Sequence, residues 1–409
     1  MGNPMTTRLF DHVRIVTAGV MLVGTCLTSA GAVAQETIRV GAPLPLTGPL
    51  SPEGIKQKRG YDLWAKTVNE AGGITVGEDT YEVEIIYVDY ESNTPRAVQS
   101  AERLITEDGV NFLFSPFGSG AAKAASSVSE RYRIPTIAAT ASSEQVYDQG
   151  YKFLFGTFTP NSTLTDPLAE IVAGSSEDIQ TVAIYARNDL FPLAIAEEMR
   201  ISANEKGYEI VAFDEYSIGT VDHASTLTLM RRSQPDWIFA TGYINDLILI
   251  RQQMTDLGVE PKVLTMIAGP AYKEFIEATG SAAENVSSAA WWHPAVSYEG
   301  EGIFGATSDY VAAFEAEYGS LPDYAEASAS AAGVILQLAI EESGSIDPEA
   351  VRDTLTQMDA TTFYGPIRFG ETGQITSLEP PVFQIQGGAP VVIYPEAVKQ
   401  ADMLYGDIQ

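Results

Sequence analysis

The stretch Thr37-Ile38-Arg39-Val40-Gly41-Ala42-Pro43-Leu44, followed by Pro45-Leu46-Thr47-Gly48-Pro49 and then Ser51-Pro52-Glu53, decides the fold class. The first eight residues read as a strand. The Pro/Gly run reads as a turn. The third group reads as the start of a helix, with Ser51 as cap, Pro52 in the first turn and Glu53 complementing the helix dipole. Tyr61, Trp64, Ala65 and Val68 then recur at i, i+3, i+4 and i+7, which is one buried helical face. Gly72-Gly73 ends the helix.

The same alternation runs on down the chain. Strands are predicted at 81–89, 111–116, 136–139 and 153–158, with a helix from Pro95 to Glu107. A second set begins with strand 181–185 and continues through 209–213, 237–241, 262–267 and 286–291. Its helices are predicted at 193–206, 244–257 and 273–279. Strands spaced by amphipathic helices imply parallel sheets covered on both faces, so the class is α/β with two doubly wound lobes. Further helices follow at 304–318, 324–342 and 348–358, then hairpin-like segments around Ile367 and Val382. No linker-like composition separates the sets, so crossing segments are expected to join the lobes near 157–160, 287–293 and 363–367.

The first 34 residues read as an export signal. Arg8 and Arg14 are basic, and Ile15 to Leu27 is an apolar run short of the ~20 residues that span a bilayer. Ala32-Val33-Ala34 fits the small-x-small cleavage pattern. Cleavage near Ala34 would remove Cys26, the one cysteine of the chain. The exported part is then free of disulfides, thiolate nucleophiles and cysteine ligands. The net charge of −30 argues against nucleic acid and anionic lipid as partners, and its plain reading is a well-solvated surface.

The chemistry-bearing patterns point to holding a small molecule, not transforming it. Gly118-Ser119-Gly120 follows a strand and precedes a helix, but the next glycine position of a dinucleotide fingerprint holds Lys123. The functional reading is a helix N-terminus whose N–H groups and Ser119 hydroxyl hold a carboxylate; the plainer one is capping by Ser119. Beyond the leader there are two histidines, His223 and His293, without metal-ligand spacing. Phe117-Gly118-Ser119-Gly120-Ala121 misses a nucleophile turn by one residue. No enzyme activity, metal or cofactor is therefore expected. Aromatic residues gather at predicted strand ends: Phe117, Phe158, Phe191, Tyr243, Tyr272, Trp291 and Trp292. In doubly wound lobes those ends open on the binding crevice. For Trp291 and Trp292 core packing is the favoured reading, and for Tyr243 a place in the site.

The run Ile38 to Gly48, then Gly54, a helix and Asn69-Glu70-Ala71-Gly72-Gly73-Ile74, resembles a known opening. So does Tyr87-Val88-Asp89-Tyr90-Glu91-Ser92-Asn93 with Pro95 and Ala97. The chain resembles the periplasmic solute-binding proteins of branched-chain (hydrophobic) amino acid ABC transporters, the leucine-binding-protein type. The resemblance implies a type I periplasmic binding fold with three crossing segments. Lobe 1 would be 35–157 plus 290–364, and lobe 2 158–289 plus 365–409. It implies a monomeric extracytoplasmic receptor that closes on a small ligand and delivers it to the importer's permease. By the same resemblance Ser119 holds the ligand carboxylate, Phe117 lines the side-chain pocket, Ala138 and Thr140 contact the ligand, and Tyr243 packs over it.

The sequence departs from this pattern where relatives place acids for the ligand ammonium. Asn161 occupies one such place. Gly269-Pro270 is followed by Ala271-Tyr272 at the other, and Phe191-Pro192 replaces a Tyr-Gly. Beside a plain hydrophobic amino acid, these departures raise the expectation of a ligand lacking an α-ammonium: an aliphatic or aromatic carboxylate, an amide or a urea-like molecule. A sensory module or a secreted hydrolase is the remaining alternative.

Overall fold

The computed structural model describes residues 36–406, so the predicted leader and its cleavage site lie outside the described residues. The first sheet is built from β1 (Glu36–Leu44), β2 (Ile74–Val76), β3 (Asp79–Asp89), β4 (Phe112–Phe114), β5 (Thr136–Ala138) and β6 (Leu154–Gly156). Its order is β2-β3-β1-β4-β5-β6, parallel except for the β2–β3 hairpin. Helices α1 (Ser51–Glu70), α2 (Thr94–Thr106) and α3 (Ser119–Tyr132) connect its strands.

Helix α4 (Ser162–Ala173) leads into the second sheet. Its parallel strands are β7 (Thr181–Arg187), β8 (Glu209–Tyr216), β9 (Trp237–Thr241), β10 (Val263–Ile267) and β11 (Ser287–Ala289). Between them run α5 (Leu190–Glu205), α6 (Ala224–Ser233), α7 (Ile244–Leu257) and α8 (Lys273–Thr279). After β11 the chain returns to the first sheet as α9 (Thr307–Tyr318), α10 (Tyr324–Ser343) and α11 (Pro348–Gln357), then forms the ribbon β12 (Asp359–Thr362) and β13 (Gly365–Arg368). It ends with β14 (Val382–Gln386) and β15 (Ala389–Tyr394), which extend the second sheet antiparallel to β11. That sheet's order is β15-β14-β11-β10-β9-β7-β8.

The order reverses between β1 and β4 in one sheet and between β7 and β9 in the other. Loops leaving such neighbouring strands part to opposite faces and leave a crevice at the strands' C-terminal ends. Both crevices contribute to one cleft.

Helix α1 is held against α10 by small residues. A side chain on Gly60 would meet the Glu326 carbonyl, and one on Gly333 would meet the Trp64 ring. Ser330 Oγ donates to Gly60 O at 2.7 Å. This close packing fixes the helix whose first turns face the cleft.

Several local expectations are corrected. Ser51 is the first helical residue and not the cap; Leu50 holds the cap position and its N–H goes to Ser92 Oγ. Helix α5 starts three residues early, at Leu190, because the Asp189 carboxylate accepts from the Leu190 N–H. The helix predicted from 304 starts at Thr307, whose hydroxyl donates to Phe363 O at 2.7 Å. Among the described residues no helix is long and apolar enough to cross a membrane.

Candidate ligand-binding site between the two sheets

A narrow cavity lies between the sheets; its empty space, with the solvent at its mouth included, is about 300 Å³. Its wall is mostly rings: Phe117 after β4, Phe158 after β6, Phe191 after β7, Tyr243 after β9, Trp291 after β11 and Tyr324 opening α10. Gly118, Thr140, Ser142 and Ala268 complete it. Nearly every element reaches the cavity from the C-terminal end of a parallel strand, as the two switch points require. The rings interlock. Phe158 and Trp291 stack at 3.9 Å with 6° between their planes, Phe117 meets Tyr243 at 5.6 Å, and Phe191 lies 5.9 Å from Trp291.

The polar part of the wall is small. Ser142 Oγ is buried and has no hydrogen-bonding partner. Thr140 Oγ1 donates to Gln57 Oε1 at 3.2 Å, which leaves its lone pairs to accept from a ligand. Gly118 has φ +81°, and a Cβ there would lie 3.1 Å from Tyr243 Oη, so glycine allows the two sides to close on each other. Ala268 holds φ +79°, a backbone state that is strained for a residue with a Cβ.

Of the eight residues singled out in the sequence, Phe117, Thr140, Phe191 and Tyr243 are in this wall. The other four stand behind it. Ser119 is the first residue of α3, with Gly118 at the cap, so it does not cap the helix. Its Oγ accepts from the Ser142 and Ser143 N–H groups at 3.2 Å each, which braces the loop carrying Ser142. Ala138 ends β5, and its carbonyl accepts from Thr157 N–H. Tyr272 stacks on Tyr324 at 5.1 Å and donates its hydroxyl to Tyr324 Oη at 2.7 Å. Asn161 is fully buried, its N–H goes to Glu144 Oε1, and neither atom of its side-chain amide has a partner.

Trp291 is a correction to the core-packing reading, since it lines the cavity. Trp292 packs edge-on against Tyr310 at 5.8 Å. Sequence reasoning also passed over Ser142, Tyr324 and Ala268. Ser142 carried a faint signal, as the polar residue closing the Ala138-Ala139-Thr140-Ala141 run. The other two carried none.

The largest surprise is electrostatic. Glu53, read in the sequence as a dipole partner of α1, is 1% exposed and reaches across the cleft. Its Oε1 accepts from the Ile244 N–H at the start of α7, at 3.0 Å. Burial pushes its carboxyl up to about 7, against the opposing hydrogen bond. Lys56, one turn on, bridges Glu274 at 2.9 Å and Asp323 at 2.8 Å. Asn245 Nδ2 donates to Pro49 O at 3.3 Å. Arg187, at the end of β7, pairs with Asp246 at 2.8 Å and lies 5.0 Å from the Tyr243 ring. Thus α1 and the turn before it supply three polar contacts between the two sides: Glu53 to Ile244, Lys56 to Glu274 and Asn245 to Pro49. Among the described residues no group of three or more His, Cys, Asp or Glu is placed to hold a metal.

Two sheets, a cleft at paired switch points and a ring-lined cavity in it agree with a match of the periplasmic binding protein family model to residues 37–389. The chain belongs to that family. It is 27% identical over 406 residues to Leu/Ile/Val-binding protein homolog 8 of Brucella melitensis, covering 95% of this chain and 96% of that protein. Its fold is that of a leucine-binding protein from Thermotoga maritima, with TM-score 0.77, 21% identity, and coverage of 87% of this chain and 97% of the other. A solute-binding protein from Rhodopseudomonas palustris BisB5 in complex with 3,4-dihydroxybenzoic acid shares it at TM-score 0.74 and 19% identity. There the coverage is 87% and 95%. The type I periplasmic binding fold is therefore the fold of this chain.

Proposed function

We propose that the protein is an extracytoplasmic receptor that closes on a small carboxylate with an apolar or aromatic body, hydrophobic amino acids included, and delivers it to an ABC importer's permease. The observation that carries this reading is the cavity itself. Six rings offer apolar area, and one small polar patch, Ser142 with Thr140 and the Gly118 backbone, offers hydrogen bonds. Such a wall orients a ligand with one polar end and one apolar end. Burying it between rings favours binding by about 25 cal/mol per Å² of apolar area. Ser119, Ala138 and Tyr272 act from behind by fixing the wall, and Asn161 lies behind it with its amide unpartnered.

On this reading the lobes are residues 35–157 with 290–364 and 158–289 with 365–409, joined by three crossings. Binding and release follow from rotation of the lobes about those crossings. The protein carries out no bond chemistry, acts as a monomer, and works outside the cytoplasm after removal of its leader near Ala34.

A thermal-shift screen against aliphatic and aromatic amino acids, their deaminated acids, benzoates, short amides and urea tests the proposal. A ligand that binds only the folded state stabilises by RT ln(1 + [L]/Kd), about 2.7 kcal/mol at a hundredfold excess over Kd. A clear shift with carboxylates and none with urea or amides is expected. Shifts with amides alone would overturn it.

A further inference from the structure

Glu53 is a buried acid with an incomplete set of partners. One oxygen takes the Ile244 N–H at 3.0 Å, and Oε2, buried, has none. The cations near it are already engaged: Lys56 with Glu274 and Asp323, and Arg187 with Asp246. Asp246 adds a second negative charge beside it. The donor to Glu53, Ile244, directly follows Tyr243, a ring of the cavity wall, so Glu53 lies beside that wall. No charged side chain lines the cavity itself. An ionised carboxylate in this position is favoured by the N-terminus of α7 but lacks a counter-charge.

We propose that Glu53 takes the ammonium group of the ligand, so that the ligand is a hydrophobic or aromatic amino acid and not its deaminated acid. This rests on the reading of the cavity as a carboxylate site. The ligand carboxylate sits at the Ser142–Thr140 end. The amine turns toward α1 past Tyr243 and Tyr324, whose ring faces attract a cation. The charge partner that Asn161 and Ala271 do not supply then comes from the opposite side of the cleft. The ammonium completes the hydrogen bonding of Oε2 and keeps Glu53 ionised in the closed protein. A ligand without the amine closes the cleft only by leaving Glu53 protonated.

Calorimetry with leucine, phenylalanine, 4-methylpentanoate and 3-phenylpropanoate, on the native chain and on Glu53→Gln, tests this. The native chain is expected to prefer an amino acid over its deaminated analogue by tenfold or more. Glu53→Gln is expected to lower amino acid affinity at least thirtyfold and to change the analogues less than threefold. Equal or better binding of the deaminated acids by the native chain would overturn the role of Glu53 and leave the receptor reading standing, as would an unchanged preference in Glu53→Gln. Binding of neither class would overturn both. If Glu53→Gln does not fold, the native chain alone decides, by titration at pH 7 in buffers of different ionisation enthalpy. Amino acids should bind without proton uptake and the deaminated acids with it. The same proton uptake for both classes would overturn the proposal.

Discussion

Phe158 and Trp291 stack face to face at 3.9 Å, and each follows the last residue pairing of a strand from which the chain crosses between the sheets. The stack therefore joins two crossings and forms one side of the cavity. A ligand entering against Trp291 therefore meets a ring that ties two crossing segments together.

Of the four tryptophans, Trp64, Trp237, Trp291 and Trp292, only Trp291 lines the cavity. Ligand binding should change the intrinsic fluorescence, and Trp291→Phe should remove most of that change while Trp292→Phe keeps it. Retention of the full signal in Trp291→Phe would show that the ligand binds elsewhere. Trp291→Ala should in addition lower stability by about 3–5 kcal/mol, the usual cost of emptying a large buried ring site, read as a shift in the denaturant midpoint.

Ser142 and Ser119 should respond oppositely to removal of the hydroxyl. Ser142 Oγ is buried and unpartnered, so Ser142→Ala should leave the ligand-free protein as stable or more so and weaken binding about tenfold or more. Ser119 Oγ satisfies two buried N–H groups, so Ser119→Ala should lower stability by about 1–3 kcal/mol and weaken binding only through the disturbed loop. Melting temperatures and calorimetric affinities of the pair separate the two roles. Identical behaviour would refute the distinction.

Closure should be sensitive to Glu274. Lys56 and Asp323 belong to α1 and the start of α10, on one side of the cleft, and Glu274 to α8 on the other. Glu274→Gln should weaken ligand binding by a few fold and enlarge the ligand-free radius of gyration in small-angle scattering. Asp323→Asn should mainly destabilise α10, whose Ala325 and Glu326 N–H groups it caps. In the native chain the radius of gyration should fall when ligand is added. Identical scattering curves would mean a rigid cleft.

The pH response has a definite sign. Burial raises Glu53 from an ordinary value near 4.5 to about 7, and burial also raises Glu326. A carboxyl raised in the closed, folded state favours that state fully below its ordinary value. The advantage shrinks as pH rises through 4.5 and is gone above about 7. Thermal stability without ligand should therefore decline between pH 5 and 8, and Glu53→Gln should flatten part of that decline. Parallel pH profiles for the native chain and Glu53→Gln would contradict the buried, unpaired state of Glu53; the comparison is needed because burial lowers His223 and His293, which add stability as pH rises toward 6.5. Asp236, lowered to about 2 by Lys262 and backbone N–H donors, works the other way at the acid end. Its contribution is lost as pH falls below about 3.8.

The sequence by itself determined the alternation of strands and helices, because hydrophobic periodicity and Gly/Pro turns are local and survive without tertiary contacts. It placed Phe117, Thr140, Phe191 and Tyr243 at strand ends, and strand ends are where this topology opens its crevice. Helices α7 and α8 begin and end where their caps and glycines put them. What tertiary structure alone decided is which polar groups keep a partner. Ser119 looked like a ligand donor until the 142–143 loop folded over it. Ser142 looked like a loop residue until its neighbours left its hydroxyl bare. Glu53 has the sequence signature of any acid in a first helical turn; only segments packed around it from both sides of the cleft bury it and raise its pKa, against the lowering hydrogen bond from the Ile244 N–H, 191 residues away in the chain. Burial and hydrogen-bond satisfaction depend on segments brought together from both sheets, and no local pattern encodes them.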